Sequence, residues 1–313
     1  MSARTGVKKA GRFASKVANK LADTVADIIE SIGHLIGDGL TWAGKRIPYA
    51  GVVLRWLGAV LISLFDLFAA GAKAVGAVVG GFLSGLIRVF GGIFTADGWG
   101  ILKGFGDMAA GIVGAVIAVG GKALALIQVI FTIGWPRALE DSELEIIHRV
   151  FDESLATYNV RIVDGFAGVF SINDRPFVLG NMIYMKDVTA AVEPEALAHE
   201  CVHVWQNQHV GGAYTAEALA SQFWGVGYKW WLDADAGLEW VDFGREAQGQ
   251  TVQRMYEGAD PPLAVSARGG TFSETDPVKR TFMFNGTDRS VLANDAISTI
   301  RSYTPWRLTA IFS

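Results

Sequence analysis

The pattern of apolar and polar positions divides the chain into a helical first half and a mixed second half. Within residues 12–36, Val17, Leu21, Val25, Ile28 and Ile32 recur at helical spacing, with acids distributed among them, which predicts an amphipathic helix. Such a helix can lie on an anionic membrane surface or pack on the helices that follow. From Tyr49 to Pro136 only eight residues are charged: Arg55, Asp66, Lys73, Arg88, Asp97, Lys103, Asp107 and Lys122. The longest uncharged runs, 74–87, 108–121 and 123–136, have fourteen residues each. That is short of the roughly 20 needed to cross a bilayer without interruption. The intervals 74–96, containing Arg88, and 108–136, containing Lys122, are long enough if the charge faces a partner helix or snorkels. On a helical wheel Arg55, Asp66, Lys73 and Arg88 fall within about 60° of one another, which leaves the other faces apolar. A thin mixed-charge stripe on an apolar helix suits a bundle in lipid whose stripes pair internally. Gly76-x-x-x-Gly80 and Gly81-x-x-x-Gly85 permit close helix approach.

At Pro136-Arg137 the pattern changes. Residues 142–151 read as a helix with an acidic first turn and an apolar stripe, on which His148 is a surface or packing residue. Residues 160–164 alternate and predict a strand that ends in a turn at Asp164-Gly165. Residues 176–185 predict a second strand, and Pro194 with its neighbouring acids predicts the start of a helix. After the turn-rich stretch from Pro261-Pro262, residues 280–286 read as a strand and turn and 295–301 as a short helix. The domain organisation expected is therefore a basic amphipathic segment at 1–48, a hydrophobic membrane-associated helical region at 49–136, a compact domain at 137–257, and a tail of unknown role at 258–313.

Charge sharpens this division. Residues 1–48 carry eight Lys/Arg against four Asp/Glu, 49–136 five against three, and 137–313 fourteen against twenty-four. A basic, apolar half joined to an acidic, polar half points to two environments. The basic stretch from Arg4 to Lys20 is followed by an amphipathic helix, not an uninterrupted apolar core, so no cleavable signal peptide is expected. Neither half has the basic-aromatic pattern of a nucleic-acid surface. The glycine-rich runs lack the strand, loop and Lys-Ser/Thr that phosphate binding requires. The one cysteine, Cys201, excludes an intrachain disulfide framework and fits synthesis in a reducing compartment.

The candidate chemistry is His199-Glu200-Cys201-Val202-His203, a His-Glu-x-x-His motif about one turn inside the helix predicted from Pro194. Residues four apart share a helix face, so the two imidazoles can serve one Zn²⁺ at about 2.0–2.1 Å each. Glu200 lies about 100° around the helix, beside the cation and not on it, where it can accept a proton from an attacking water. Cys201 points about 200° away from His199, which makes it a buried apolar contact and not a ligand.

The blocks 160–165, 179–185, 199–206 and 243–248, in that order, resemble the zinc metallopeptidases found beside, or fused to, type VI and other contractile secretion spike (Vgr-related) proteins. The resemblance covers roughly residues 140–257. It implies an α+β zincin-like, gluzincin-like domain, here preceded by an all-α, Gly/Ala-rich hydrophobic helical region. It also implies peptidase activity on a peptide or protein substrate, which an edge strand can hold by backbone hydrogen bonds.

A catalytic zinc takes three protein ligands. Glu246 is the first choice for the third, because the resembling family has a Glu-Gln-Gln-Ala block on a helix there; Ala247 stands where the family has Gln. His209, at metzincin spacing but with Gln206 in place of the turn glycine, and Glu217 remain alternatives. Tyr214, Tyr228 and Tyr256 are candidate donors to the developing oxyanion, and Asp233, Asp235 or Asp242 are candidate acceptors of the outer N–H of a zinc-bound histidine. Trp205, Trp224, Trp230, Trp231 and Trp240 are expected in the core. Two functions follow as expectations. The first is a membrane-associated zinc metallopeptidase, made in the bacterial cytoplasm and serving as effector or cargo of a secretion apparatus whose proteins it would contact. It would meet lipid through residues 12–136. The second is a membrane-inserting or pore-forming protein whose zincin-like domain binds without catalysis.

Overall fold

The computed structural model describes residues 3–47, 51–171, 175–186, 193–211, 214, 216–218, 227–257 and 282–303. The chain is mostly helical with a small mixed sheet. It divides into two compact units, one holding Met1–Pro136 with Gln206–Glu217, the other Arg137–Trp205 with Ala218–Arg307.

Three long helices build the first unit: α1 (Ala3–Gly44), α2 (Gly51–Phe94) and α3 (Gly98–Ile130). Asp97 separates α2 from α3 and caps the latter, its carboxylate accepting the Gly100 N–H at 3.1 Å. α1 and α3 both pack on α2 at glycines. A Cβ on Gly76 would come within 2.4 Å of the Ala22 side chain in α1, and one on Gly85 within 2.4 Å of the Gly104 carbonyl in α3. The two small-residue motifs of α2 thus serve different neighbours, because they lie on different faces of one helix.

The polarity of this unit is inverted relative to a water-soluble bundle. Asn19, Asp23, Asp27, Glu30 and His34 of α1 are buried, as are Asp66, Lys73 and Lys122. Val17, Leu21, Val25 and Ile32, the stripe that defines α1 in the sequence, are exposed. Asp66 accepts from His34 Nε2 at 2.8 Å and from Lys122 Nζ at 2.7 Å, which ties the three helices together. Lys73 pairs with Asp27 at 3.8 Å, and Asp107 accepts from Arg88 at 3.0 Å and from Ser84 at 2.6 Å. Phe68, Phe82, Phe90, Trp99, Phe105 and Val116 face outward instead. Two helices, α2 and α3, are long and apolar enough to cross a membrane.

The second unit opens with α4 (Asp141–Phe151), whose acidic first turn and basic last turn match the helix dipole. Its last carbonyls are met by another element: Arg301 donates to Arg149 O at 2.7 Å and Val150 O at 3.2 Å. The sheet consists of β1 (Arg161–Asp164), β2 (Phe177–Leu179) and β3 (Met182–Lys186) in the order β1-β3-β2, with β1 parallel and β2 antiparallel to β3. The single strand expected over 176–185 is therefore a hairpin. Gly180, at φ 69, reverses the chain in a conformation that a residue with a Cβ rarely adopts. Arg137 bridges to Ile162 on the far edge of β1 and fixes Glu143 through two 2.8 Å bonds, leaving β2 as the other edge.

Among the described residues, four further helices follow: α5 (Pro194–His209), α6 (Trp230–Asp235), α7 (Arg245–Glu257) and α8 (Ser290–Arg301). A two-stranded ribbon, β4 (Met283–Phe284) and β5 (Thr287–Asp288), turns at Asn285-Gly286, both at positive φ. One core joins Ile147, Phe151, Ile183, Val202, Trp205, Trp240 and Ile297. Trp205, Trp230 and Trp240 are buried and Trp231 packs at the margin, whereas Trp224 lies outside the described residues, as does most of the turn-rich tail.

Candidate metal centre

Helix α5 presents two faces with different tasks. Leu197, Ala198, Cys201, Val202, Val204 and Trp205 are wholly buried in the core and hold the helix. His199 and His203 stack one turn apart on another face, their rings 5.1 Å between centroids and nearly perpendicular. Glu246 sits in the first turn of α7, where the dipole favours an acid. Its Oε2 lies 3.5 Å from Nε2 of His199 and 3.5 Å from Nε2 of His203.

The three donor atoms lie within 4.8 Å of one another, and among the described residues these three side chains make up the group able to hold a metal ion. Two donors at about 2.0–2.1 Å from a tetrahedral ion stand roughly 3.4 Å apart, so the 3.5 Å separations fit one cation between them. The site is buried: relative exposures are 6% for His199, Glu200 and His203 and 3% for Glu246. Neither His209 nor Glu217 joins the group.

The electrostatics follow from burial. Desolvation alone would raise Glu246, but the two imidazoles beside it reverse the sign and hold its carboxyl well below the usual carboxylate range. Glu200 shifts the other way. Burial raises its pKa, with His199 and His203 opposing and Glu246 adding to the rise. Lys186, at the end of β3, contributes a smaller opposing charge. Oε2 of Glu200 has no hydrogen-bond partner among the described residues, so the carboxylate is a base free to accept.

Of the three tyrosines singled out in the sequence, the structure brings Tyr228 to the site. Its ring centroid is 6.1 Å from that of His199, and its hydroxyl bonds with both Glu246 and Arg175. Burial and the Glu246 charge push its pKa up to about 12, so it remains a donor at neutral pH. Tyr256 is part of the core, and Tyr214 belongs with the three-helix unit. Arg175, two residues before β2, also stacks over the Tyr228 ring at 5.1 Å, which links the start of that edge strand to the site. Nδ1 of His199 has no partner among the described residues. Asp233 and Asp235 are engaged by Gly244 N–H and Arg289 respectively.

Gly249 is a residue that sequence reasoning missed. A Cβ there would stand 2.9 Å from Nε2 and 3.0 Å from Cε1 of His199. Its position three residues after Glu246 on the same helix face was the available signal. Gly249→Ala is expected to weaken any metal-ion binding by this group at least about tenfold, read by competition with a chromophoric chelator, because an imidazole displaced by a few tenths of an ångström no longer converges with the other two donors. Alanine is the better helix former by about 0.8–1.0 kcal/mol, so helix content should not fall with affinity.

Cys201 is wholly buried, and its thiol is raised well above the ordinary value by desolvation, then by Glu200 and Glu143. A raised folded pKa means that the native state keeps the proton after the unfolded chain has released it. The associated stability is full below the ordinary thiol pKa and declines as pH climbs past it. The native protein should therefore resist iodoacetamide from pH 7 to about 9 while the urea-unfolded chain labels readily, with labelling followed by mass spectrometry. Rapid native labelling would remove Cys201 from the core.

No protein-family model matches this chain, and neither the curated proteins nor the solved structures include a match.

Proposed function

We propose that residues 137–257 form a zincin-like, gluzincin-like hydrolase domain that cleaves peptide bonds, with His199, His203 and Glu246 holding Zn²⁺. We further propose that α2 and α3 fix the chain in a lipid bilayer. The observation that carries the first claim is the convergence of two imidazole nitrogens on one carboxylate oxygen at 3.5 Å each. Two imidazoles and a carboxylate are a donor set of hydrolytic zinc sites, and zinc bound there supplies a Lewis acid and acidifies its water.

The chain's own groups account for the remaining steps. Glu200, desolvated and with a free oxygen, takes the proton of the attacking water and returns it to the leaving amine. Tyr228 turns its one hydroxyl proton from Glu246 to the carbonyl oxygen as negative charge develops there. Arg175 holds that tyrosine and marks the start of β2, the edge strand among the described residues, along which an extended peptide can add as a further strand.

The membrane claim rests on exposure. The outward faces of α2 and α3 are largely aromatic and aliphatic while Asp66, Lys73 and Lys122 pair inside and Lys103 is exposed near the start of α3, an arrangement that lipid favours and water does not. The resemblance to spike-associated metallopeptidases supports a role as a bacterial secretion-system effector that meets the apparatus and is delivered to a target membrane.

Metal analysis of freshly purified full-length protein should find about one zinc per chain, and chelation should abolish hydrolysis of a denatured protein substrate until stoichiometric zinc is restored. Protein that is folded but carries no stoichiometric zinc would overturn the enzyme reading.

A further inference from the structure

Helix α1 carries four acids between residues 21 and 44, and among the described residues the helices long and apolar enough to cross a membrane are α2 and α3. We propose that residues 21–44 of α1 nevertheless form a third membrane-spanning segment, sealed against α2 by buried ion pairs, with phospholipid acyl chains covering its outer face. The inference rests on the bilayer reading given above and changes the number of crossings from two to three.

Its first support is the placement of charge. Asp23, Asp27, Glu30 and His34 follow at intervals of four, three and four, which is one stripe of a helix, and all four are buried. That stripe meets Lys73 and Asp66 of α2, with Lys122 of α3 closing the second cluster. Glycines seat the stripe closely: a Cβ on Gly37 would lie 2.7 Å from the Gly58 carbonyl, and one on Gly44 would lie 2.5 Å from the Gly51 carbonyl. Three of the four acids between residues 21 and 44 are thereby buried, and the fourth, Asp38, is partly exposed.

The second support is what does reach that surface. Every exposed residue between 21 and 44 is Leu21, Val25, Ile32, Leu35, Ile36, Gly39 or Trp42. None of these exposed residues is charged, and the segment of twenty-four residues that carries them is about 36 Å long, against a hydrocarbon core of about 30 Å. Its ends are marked. Lys9, Arg12, Lys16 and Lys20 are exposed before it and Lys45 and Arg46 after it, with the Arg46 guanidinium 3.8 Å over the Trp42 ring. Basic residues and an aromatic ring at the limits of an apolar band are the anchors of a membrane interface.

An in-plane amphipathic helix would do the opposite, turning its charged face to water and its apolar face to the acyl boundary. Here the charged face is occupied by α2. Three crossings have a topological consequence: an odd number places Arg12 and Pro136 on opposite faces of the bilayer, whereas two would place them on the same face.

The test uses full-length protein in the Cys201→Ala background, reconstituted into phosphatidylcholine–phosphatidylglycerol vesicles. A fluorophore is attached singly through Lys20→Cys, Ile32→Cys, Leu35→Cys, Lys45→Cys or, in α3, Val116→Cys. Nitroxides are placed either at mid-acyl chain or on the headgroup, about 15 Å apart in depth, and the mid-chain quencher should be about threefold the more effective at 32, 35 and 116, with the order reversed at 20 and 45. Headgroup-dominated quenching at 32 and 35, with mid-chain quenching at 116, would overturn the third span while leaving the bilayer reading intact. Quenching by neither at 32 and 35, with 116 still quenched, would assign that face to a second copy of the chain and also overturn it. Failure of the wild-type protein to float with vesicles would remove the bilayer reading and this inference together.

Discussion

Glu200→Gln is expected to lower peptide hydrolysis by about 10²–10⁴-fold, the usual contribution of a positioned general acid–base. The zinc content should be unchanged. Both halves of the result follow from position. Glu200 is buried between the two histidine ligands but is not one of the three converging donors, so its loss removes no bond to the cation. The amide matches the carboxylate in shape but cannot take up a proton. Stability offers a control with a definite sign. Burial raises the folded pKa of Glu200, so its contribution to stability is full below the ordinary glutamate range and is lost as pH rises through the folded value. At neutral pH the Gln variant should therefore unfold at the same temperature or higher. Glu246→Gln should behave differently, losing zinc and activity together. If Glu200→Gln kept full hydrolysis, the chemistry would not reside in this motif. If it lost hydrolysis but kept full biological effect, the membrane-inserting alternative would become the better account.

The parts of the site legible in the sequence are the local ones. His199 and His203 share a face because of helical spacing, and Cys201 turns to the core for the same reason. Glu246 is distant in sequence and was reached only through a resemblance; no spacing rule connects the first turn of α7 to the middle of α5. The contributions of Arg175, Lys186 and Gly249 likewise depend on how separate elements converge. In the sequence the hairpin over 177–186 looks like one strand because its apolar run continues across the turn, and Gly180 alone marks the break. In α1 the periodicity identified the helix but not which face turns inward. An apolar stripe is turned inward by default, and here the charges of α2 recruit the opposite face. That choice is a property of a pair of helices, so neither helix displays it alone.

The pairing has its largest energetic signature at Asp66. This carboxylate accepts from Lys122 at 2.7 Å and His34 at 2.8 Å, and all three side chains are 3% exposed. Asp66→Leu leaves a lysine buried with no counter-charge and is expected to cost about 3–5 kcal/mol. In detergent micelles this should appear as a large fall in the melting temperature followed by circular dichroism at helical wavelengths. Replacing both partners, Asp66→Leu with Lys122→Leu, should restore most of the loss, since an apolar pair of similar volume is often as stable as the ion pair it replaces. The double-mutant cycle then isolates the coupling from the packing change that Leu brings. The same logic extends to His34, whose imidazole retains no acid in the double variant and should tolerate His34→Leu better there than in the wild type. If Asp66→Leu alone is neutral or stabilising, the carboxylate is not sealed between the helices. The inward charge stripe, and with it the outward apolar face of α1, would then be wrong.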